Sequence, residues 1–143
     1  MTLQNLLTKI SQLAINQELV NCAQAGTDIY NLNVGTIEAY PVLFSSPTGS
    51  HRVGENTTVY TITVYYIDRL LSDSSNDLDI ISIGIEQLKN LIRGIEEIEG
   101  VVNVETEYNI VSFTETERLS DKCAGDYATI EVEVLNDFIC FEE

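Results

Sequence analysis

The sequence is poor in basic residues and in the residue types that usually build catalytic or metal sites. Its 143 residues include 7 Lys and Arg against 23 Asp and Glu, which gives a formal net charge of −16, and they include 1 His, 3 Cys and no Trp. Affinity for nucleic-acid phosphates comes from Lys and Arg that displace counterions. The charge therefore argues against sequence-independent binding of DNA or RNA, and equally against attraction to an anionic membrane surface.

Long apolar runs are missing as well. Charged residues interrupt even the isoleucine-rich segment 78–98, so that no stretch reaches the roughly 20 consecutive apolar residues of a membrane span. Lys9 falls where a secretion signal needs an unbroken apolar stretch, and we therefore expect a soluble protein without such a signal. Cys22, Cys123 and Cys140 are widely separated and lack C-x-x-C spacing, which predicts reduced thiols in a cytoplasm.

No motif in the sequence supplies a catalytic or ligand-binding set. His51 lies in a segment with Ser45, Ser46 and Ser50, but nearness in sequence does not make a catalytic triad, and we interpret it as a solvated loop residue. Zinc-ligand spacing, a calcium loop and both glycine-rich phosphate motifs are absent from the sequence. The acidic segment 72–79 is better explained as helix capping. We predict no enzyme, no cofactor and no metal site.

Helical spacing occurs in two segments. Apolar residues recur at intervals of three and four from Leu3, with Thr2 as a candidate N-cap. A second helix follows residues 72–79, and Gly100 is placed to take the left-handed conformation beyond its end. The apolar stripe predicted for this second helix consists of Ile81, Ile85, Leu88, Ile92 and Ile95.

Alternation of apolar and polar residues predicts four strands. They cover residues 35–44, 57–67, 102–110 and 127–134, with a bulge at 111–113. Pro41 cannot donate a ladder hydrogen bond, so we expect the first strand at a sheet edge or at a bulge. The length and the 44% apolar content favour one compact domain over residues 1–143. The predicted class is α+β, in the order α-β-β-α-β-β, with a four-stranded, largely antiparallel sheet and the helices packed on it.

Most of the acid lies in the last third of the chain. From residue 96 onward there are fourteen carboxylates against Arg118 and Lys122, so a net −12 of the −16 is found there. The pairs Glu105/Glu107 and Glu131/Glu133 are each expected on one strand face. That face is either an ordinary solvated sheet surface or, since aligned glutamates repel unless counter-charges lie against them, a channel wall or an electrostatic interface.

Two further segments have alternative interpretations. Residues 45–56 form either an arm that projects onto a neighbouring subunit or a flexible surface loop. The acidic C-terminal tail, residues 137–143, carries Phe138, Ile139 and Phe141, which pack on the parent core or anchor a partner.

Four stretches resemble virion proteins of tailed phages, in particular the crAss-like phages of Bacteroides. They are YPVLFSSPTG, TVYTITVYYIDRL, SDSSNDLDIISIGIEQLKNLI and FTETERLSDKCAGDYATIEVEV, which together span about residues 40–134. The predicted order of helices and strands is similar to that of tail-terminator and neck-ring proteins at head-to-tail junctions. The resemblance therefore implies a tail-terminator-like fold and a structural virion protein.

The resemblance also implies a homo-oligomeric ring on the DNA exit path. Such a head-tail connector joins portal and adaptor to the tail, needs no cofactor, and is found in the virion neck or tail after synthesis in the host cytoplasm. An acidic lining lets DNA pass without specific binding, because it repels phosphates. His51, Arg52, Arg69, Lys89 and Arg93 are then the expected inter-subunit contacts. The alternative is an acidic DNA mimic or protein-binding inhibitor, with Glu105, Glu107, Glu131 and Glu133 imitating phosphates.

Overall fold

The computed structural model describes residues 1–27, 40–71, 73, 75–114 and 122–136. Within them the elements are α1 (Leu3–Ile15), β1 (Cys22–Ala25), β2 (Val42–Pro47), β3 (Arg52–Val53), β4 (Thr57–Arg69), α2 (Asp77–Ile95), β5 (Val101–Val104), β6 (Ile110–Phe113) and β7 (Cys123–Leu135). The strand order is β1-β2-β4-β7-β5, and β3 pairs with β4 while β6 pairs with β7. The tail segment 137–143 and Cys140 lie outside the described residues.

The sheet is built around two long antiparallel strands. β4 and β7 have 13 residues each and pair along their whole length, from Thr57 opposite Leu135 to Arg69 opposite Cys123. The β-branched and aromatic composition of β4 favours such an extended strand. β1 runs parallel to β2, and the other strand pairs are antiparallel.

The predicted fold class is wrong in strand number, order and sheet type. The described residues form a mixed sheet of seven strands in the order α-β-β-β-β-α-β-β-β, instead of a four-stranded sheet in the order α-β-β-α-β-β. β1 and β3 have only four and two residues, too few to show an alternating pattern. The tail-terminator-like fold implied by the resemblance depended on the four-stranded order, and this prediction is therefore wrong as well.

The strand predicted over 102–110 is divided into β5 and β6. Val104 pairs with Val132 and Ile110 with Ala128, so the chain takes six steps where β7 takes four, and residues 105–109 leave the ladder. The prediction of a bulge at 111–113 is wrong, because β6 pairs with β7 in continuous register and the register shift lies between Val101 and Asn103 in β5. Alternation could not show this, because it records which residues are apolar and not the strand they face.

The first predicted strand also differs from the structure. Residues 35–39 lie outside the described residues, and β2 begins at Val42, after Pro41, and ends at Pro47. Because Pro41 precedes the first ladder position, its missing N–H removes no sheet hydrogen bond. In the sheet, β2 lies between β1 and β4 and is not an edge strand. The prediction of an edge position or a bulge at Pro41 is wrong.

Both helices pack on one face of the sheet. The side-chain oxygen of Thr2 accepts a hydrogen bond from the Asn5 N–H at 3.1 Å, which confirms the predicted cap of α1. Gly100 has the predicted left-handed conformation, with φ of 95°, but α2 already ends at Ile95 with Glu96 as its C-cap, so Gly100 does not cap the helix. The stripe predicted for α2 is rotated, because Ile81 and Ile85 are only half-buried. The buried residues of α2 are Ile80, Gly84, Leu88, Leu91, Ile92 and Ile95.

The two faces of the central strands are distinguished by residue parity. Even-numbered residues of β4 and β7, such as Ile62, Val64, Ile130 and Val132, are buried with the helix residues in the main core. The odd-numbered residues point to the other side. We call that side, on which neither α1 nor α2 packs, the helix-free face. Among the described residues, neither helix is long and apolar enough to cross a membrane.

Candidate interaction surfaces

An aromatic row crosses one end of the helix-free face. Phe113 of β6, Tyr127 of β7, Tyr65 of β4 and Phe44 of β2 follow one another, with ring centroids 6.4, 5.5 and 6.2 Å apart. Phe44, Tyr65 and Tyr127 are direct cross-strand neighbours. Tilted aromatic pairs at these distances are attractive beyond the area they bury. The row therefore links four strands through their side chains.

A row of threonine hydroxyls lies beside the aromatic row. Thr63 Oγ1 is 2.9 Å from Thr129 Oγ1 and 2.7 Å from Thr48 Oγ1. Thr63 is buried, whereas Thr48 and Thr129 are exposed. Each hydroxyl can both donate and accept, so a chain of this kind satisfies the buried central member.

The acidic residues lie at the other end of β7. Glu131 is exposed and Glu133 half-buried on the helix-free face, where Thr57 Oγ1 donates to Glu133 Oε2 at 2.8 Å. The Glu105 N–H donates to the Glu131 carbonyl at 3.1 Å, and the Glu131 N–H donates to Glu105 Oε2 at 3.2 Å. The structure thus brings three of the four candidate acids together. Glu107 is exposed in the 105–109 connection and not on a strand.

Two candidate cations lie beside one of these acids. Lys89 and Arg93 of α2 and Glu105 line a cleft of about 250 Å³ between the helix and the 105–109 connection. Both cations are exposed, and Lys89 Nζ is 2.8 Å from Glu86 Oε1. Arg93 forms no ion pair with another residue that the structure describes.

Arg52 and Arg69 occupy separate corners of the helix-free face. Arg52 pairs with Val59, whose other neighbour is Glu133, so Arg52 belongs to the acidic end. Arg69 pairs with Cys123 at the aromatic end. The candidate cations are therefore dispersed over both sides of the sheet, and their contacts with a neighbouring subunit stay a prediction.

His51 is held within its own chain. Its Nδ1 accepts a hydrogen bond from the Thr61 N–H at 3.2 Å, and its ring meets Tyr60 edge-on at 5.4 Å. His51 lies in a loop before β3, as interpreted from the sequence, but its side chain is half-buried instead of fully solvated. Residues 45–47 belong to β2 and 52–53 to β3, so much of the segment 45–56 lies along β4. Its docking on another subunit stays a prediction.

The described residues contain no group of three His, Cys, Asp or Glu that could hold a metal ion. Cys22 is half-buried and Cys123 buried, and within the described residues neither forms a disulfide bond. The Cys123 thiol donates to the Tyr40 hydroxyl at 3.5 Å.

A buried acidic cluster was missed by the sequence analysis. Asp126 of β7 is fully buried, and Asp68 of β4 is half-buried, both on the helix side of the sheet beside Tyr66. Burial raises the pKa of Asp126, with the Ser112 hydrogen bond opposing, and burial likewise raises the pKa of Asp68. Burial, Asp68 and Asp126 together raise the pKa of Tyr66. The alternation of residues along β7 could have revealed this site, because Asp126 lies two residues before the buried Ala128 and therefore on the same face of the strand.

These surfaces belong to a small domain with a mixed sheet. Both helices pack on one side of the sheet, and the other side has aromatic residues at one end and acidic residues at the opposite end. Compared with models of known protein families and with curated proteins, the chain has no match.

Proposed function

We propose that the chain is a structural subunit of a tailed-phage virion, which forms a homo-oligomeric ring in the neck or tail at the head-to-tail junction. The subunit is a connector with no catalytic role and no cofactor. Its neighbours are portal, adaptor and tail proteins, and DNA passes through the ring without specific binding. The phage assignment is supported by the four sequence stretches given above, and the ring by the placement of charge.

The observation that carries the ring is that an exposed cation without an ion pair to a described residue and an exposed acid lie on opposite faces of the sheet. Glu131 lies exposed on the helix-free face, whereas Arg93 lies exposed on α2, which packs on the opposite face. Pairing of Arg93 on one copy with Glu131 on the next makes a head-to-tail contact, and such contacts close into rings when the rotation allows it. Since Lys89 is already paired with Glu86, Arg93 is the cation we assign to this contact.

The carboxylates outside the proposed contact support a channel through which DNA passes. A net charge of −16 leaves a large excess of carboxylates even after inter-subunit pairs form. Carboxylates repel the phosphates of a duplex and keep its counterions in place, so DNA can move past without being held. Glu107, exposed in the 105–109 connection, belongs to this unpaired excess.

The test is the mass of the purified protein by sedimentation velocity at low and high salt, with negative-stain microscopy of the particles. We expect closed rings of at least three subunits, which Arg93→Glu dissociates. Lys122→Glu is the matched control, because it makes the same change in charge at an exposed residue outside the proposed contact. A monomer under all conditions, or equal effects of the two variants, contradicts the ring.

The virion assignment has its own test. Mass spectrometry of purified particles should detect the chain at a stoichiometry of one ring, and its absence from particles contradicts the assignment. If the protein is instead monomeric and competes with DNA for a nuclease or repressor at low salt, the acidic inhibitor is the correct alternative.

A further inference from the structure

Asp126 lies where four elements meet. On β7 it faces α2, its cross-strand neighbour is Tyr66 of β4, and Ser112 of β6 donates to its Oδ1 at 2.5 Å. The carboxyl is fully buried, and among the described residues its Oδ2 has no hydrogen-bond partner. No described Lys or Arg forms an ion pair with it.

Helix α2 makes its close approach to the sheet at this carboxyl. A Cβ built on Gly84 would overlap Asp126 Oδ2 and lie 2.7 Å from Cδ1 of Tyr66. Glycine is therefore required at this helical position for the approach, although it weakens an isolated helix by about 1 kcal/mol. The space that water would need to solvate Oδ2 is occupied by the helix.

The titratable groups around Asp126 offer no compensating charge. β4 contributes Tyr66 and, two residues further, Asp68, which carries either no charge or a negative one. β6 contributes the Ser112 hydroxyl. The buried face of α2 around Gly84 presents Ile80 and Leu88. An ionised carboxylate in such surroundings costs far more than a neutral carboxyl with one hydrogen bond.

We propose that the packing of α2 on the sheet depends on a proton held by Asp126, so that loss of this proton releases the part of the helix around Gly84. The packed state binds the proton more tightly than the opened state, in which the carboxyl regains its ordinary pKa of about 3.9. The packed state is therefore favoured fully below that value and loses its advantage as pH rises through the raised pKa of packed Asp126. This inference does not rest on the proposed ring.

The first experiment titrates Asp126 directly in the wild-type full chain by carboxyl carbon NMR, with the resonance assigned through its bonds to the Asp126 backbone. We expect a titration midpoint above about 3.9 in the wild type. A midpoint at or below that value overturns the proposal, and this measurement uses only the wild-type protein.

The second experiment measures amide hydrogen exchange of residues 80–88 against pH, corrected for the intrinsic exchange rate. In the wild type the opening constant should rise about tenfold per pH unit between the opened-state and packed-state pKa values of Asp126. Amides of α1 provide an internal reference. Glu55→Gln, which removes an exposed acid, should keep the rise, and Asp126→Asn should abolish it. An equal rise in Asp126→Asn overturns the proposal.

Discussion

The two faces of β4 and β7 are made by the same strands and have opposite chemistry. On the helix side, Ile62, Val64, Ile130 and Val132 are buried beneath α1 and α2, with Asp126 as the polar exception. On the helix-free face, neighbouring positions change along the strands from aromatic rings to threonine hydroxyls and then to glutamates. The helix-free face is itself divided: Phe44, Ile67 and Cys123 at its aromatic end are buried, whereas Glu131 at its acidic end is exposed and available for contacts.

The largest effect on stability should come from truncating a core residue, and truncating the adjacent residue on the helix-free face provides the comparison. Ile130→Ala removes a fully buried side chain under the helices and should cost about 2–5 kcal/mol of unfolding free energy. Thr129→Ala removes an exposed hydroxyl and leaves Thr63 bonded to Thr48, so it should cost about 1 kcal/mol or less. Urea unfolding measures both, and equal losses would show that the faces are not energetically distinct.

The second effect concerns the approach of α2. Gly84→Ala places a methyl group against Asp126 and Tyr66 and should destabilise the protein by about 1–3 kcal/mol. Gly94→Ala is the matched control on the same helix, since its Cβ would lie 3.7 Å from Leu13 in ordinary contact. The control should stabilise by up to about 1 kcal/mol. Thermal unfolding distinguishes the signs, and a stabilising Gly84→Ala would contradict the close approach.

The smallest effect on stability is expected in the aromatic row. Tyr127→Leu keeps an apolar side chain but removes the ring contacts to Tyr65 and Phe113, and it should cost about 0.5–1.5 kcal/mol. Val111→Leu, at an exposed residue next to the row, is a control with a change below about 0.5 kcal/mol. If Tyr127→Leu is as neutral as the control, the row has no role in holding the sheet.

The long, periodic elements could be predicted from the sequence because their pattern repeats over many residues. α1 with its Thr2 cap and β4 are examples. The stripe of α2 could not be fixed, because Ile or Leu occupies so many positions that several stripes compete. The structure selects the one containing Gly84, whose missing side chain permits contact with the sheet.

The rest depended on strand pairing, which the local pattern does not record. β5 and β6 became separate strands because both pair with β7, and β1 became a strand by pairing with β2. For the candidate surfaces, the alternation of the sequence predicted correctly that Glu131 and Glu133 lie on one face of a strand. Only the folded chain placed Arg93 in a cleft with Glu105. Asp126 was missed because the predicted strand began one residue later.

The central claim is that copies of the chain associate through α2 of one subunit and the acidic end of the helix-free face of the next. The most direct test is the sedimentation mass of Arg93→Glu, Glu131→Arg and the double variant at low salt. Each single variant should dissociate the assembly by placing like charges together, and the double variant should restore it. Assemblies unchanged in both single variants, or a double variant that stays monomeric, would contradict the claim.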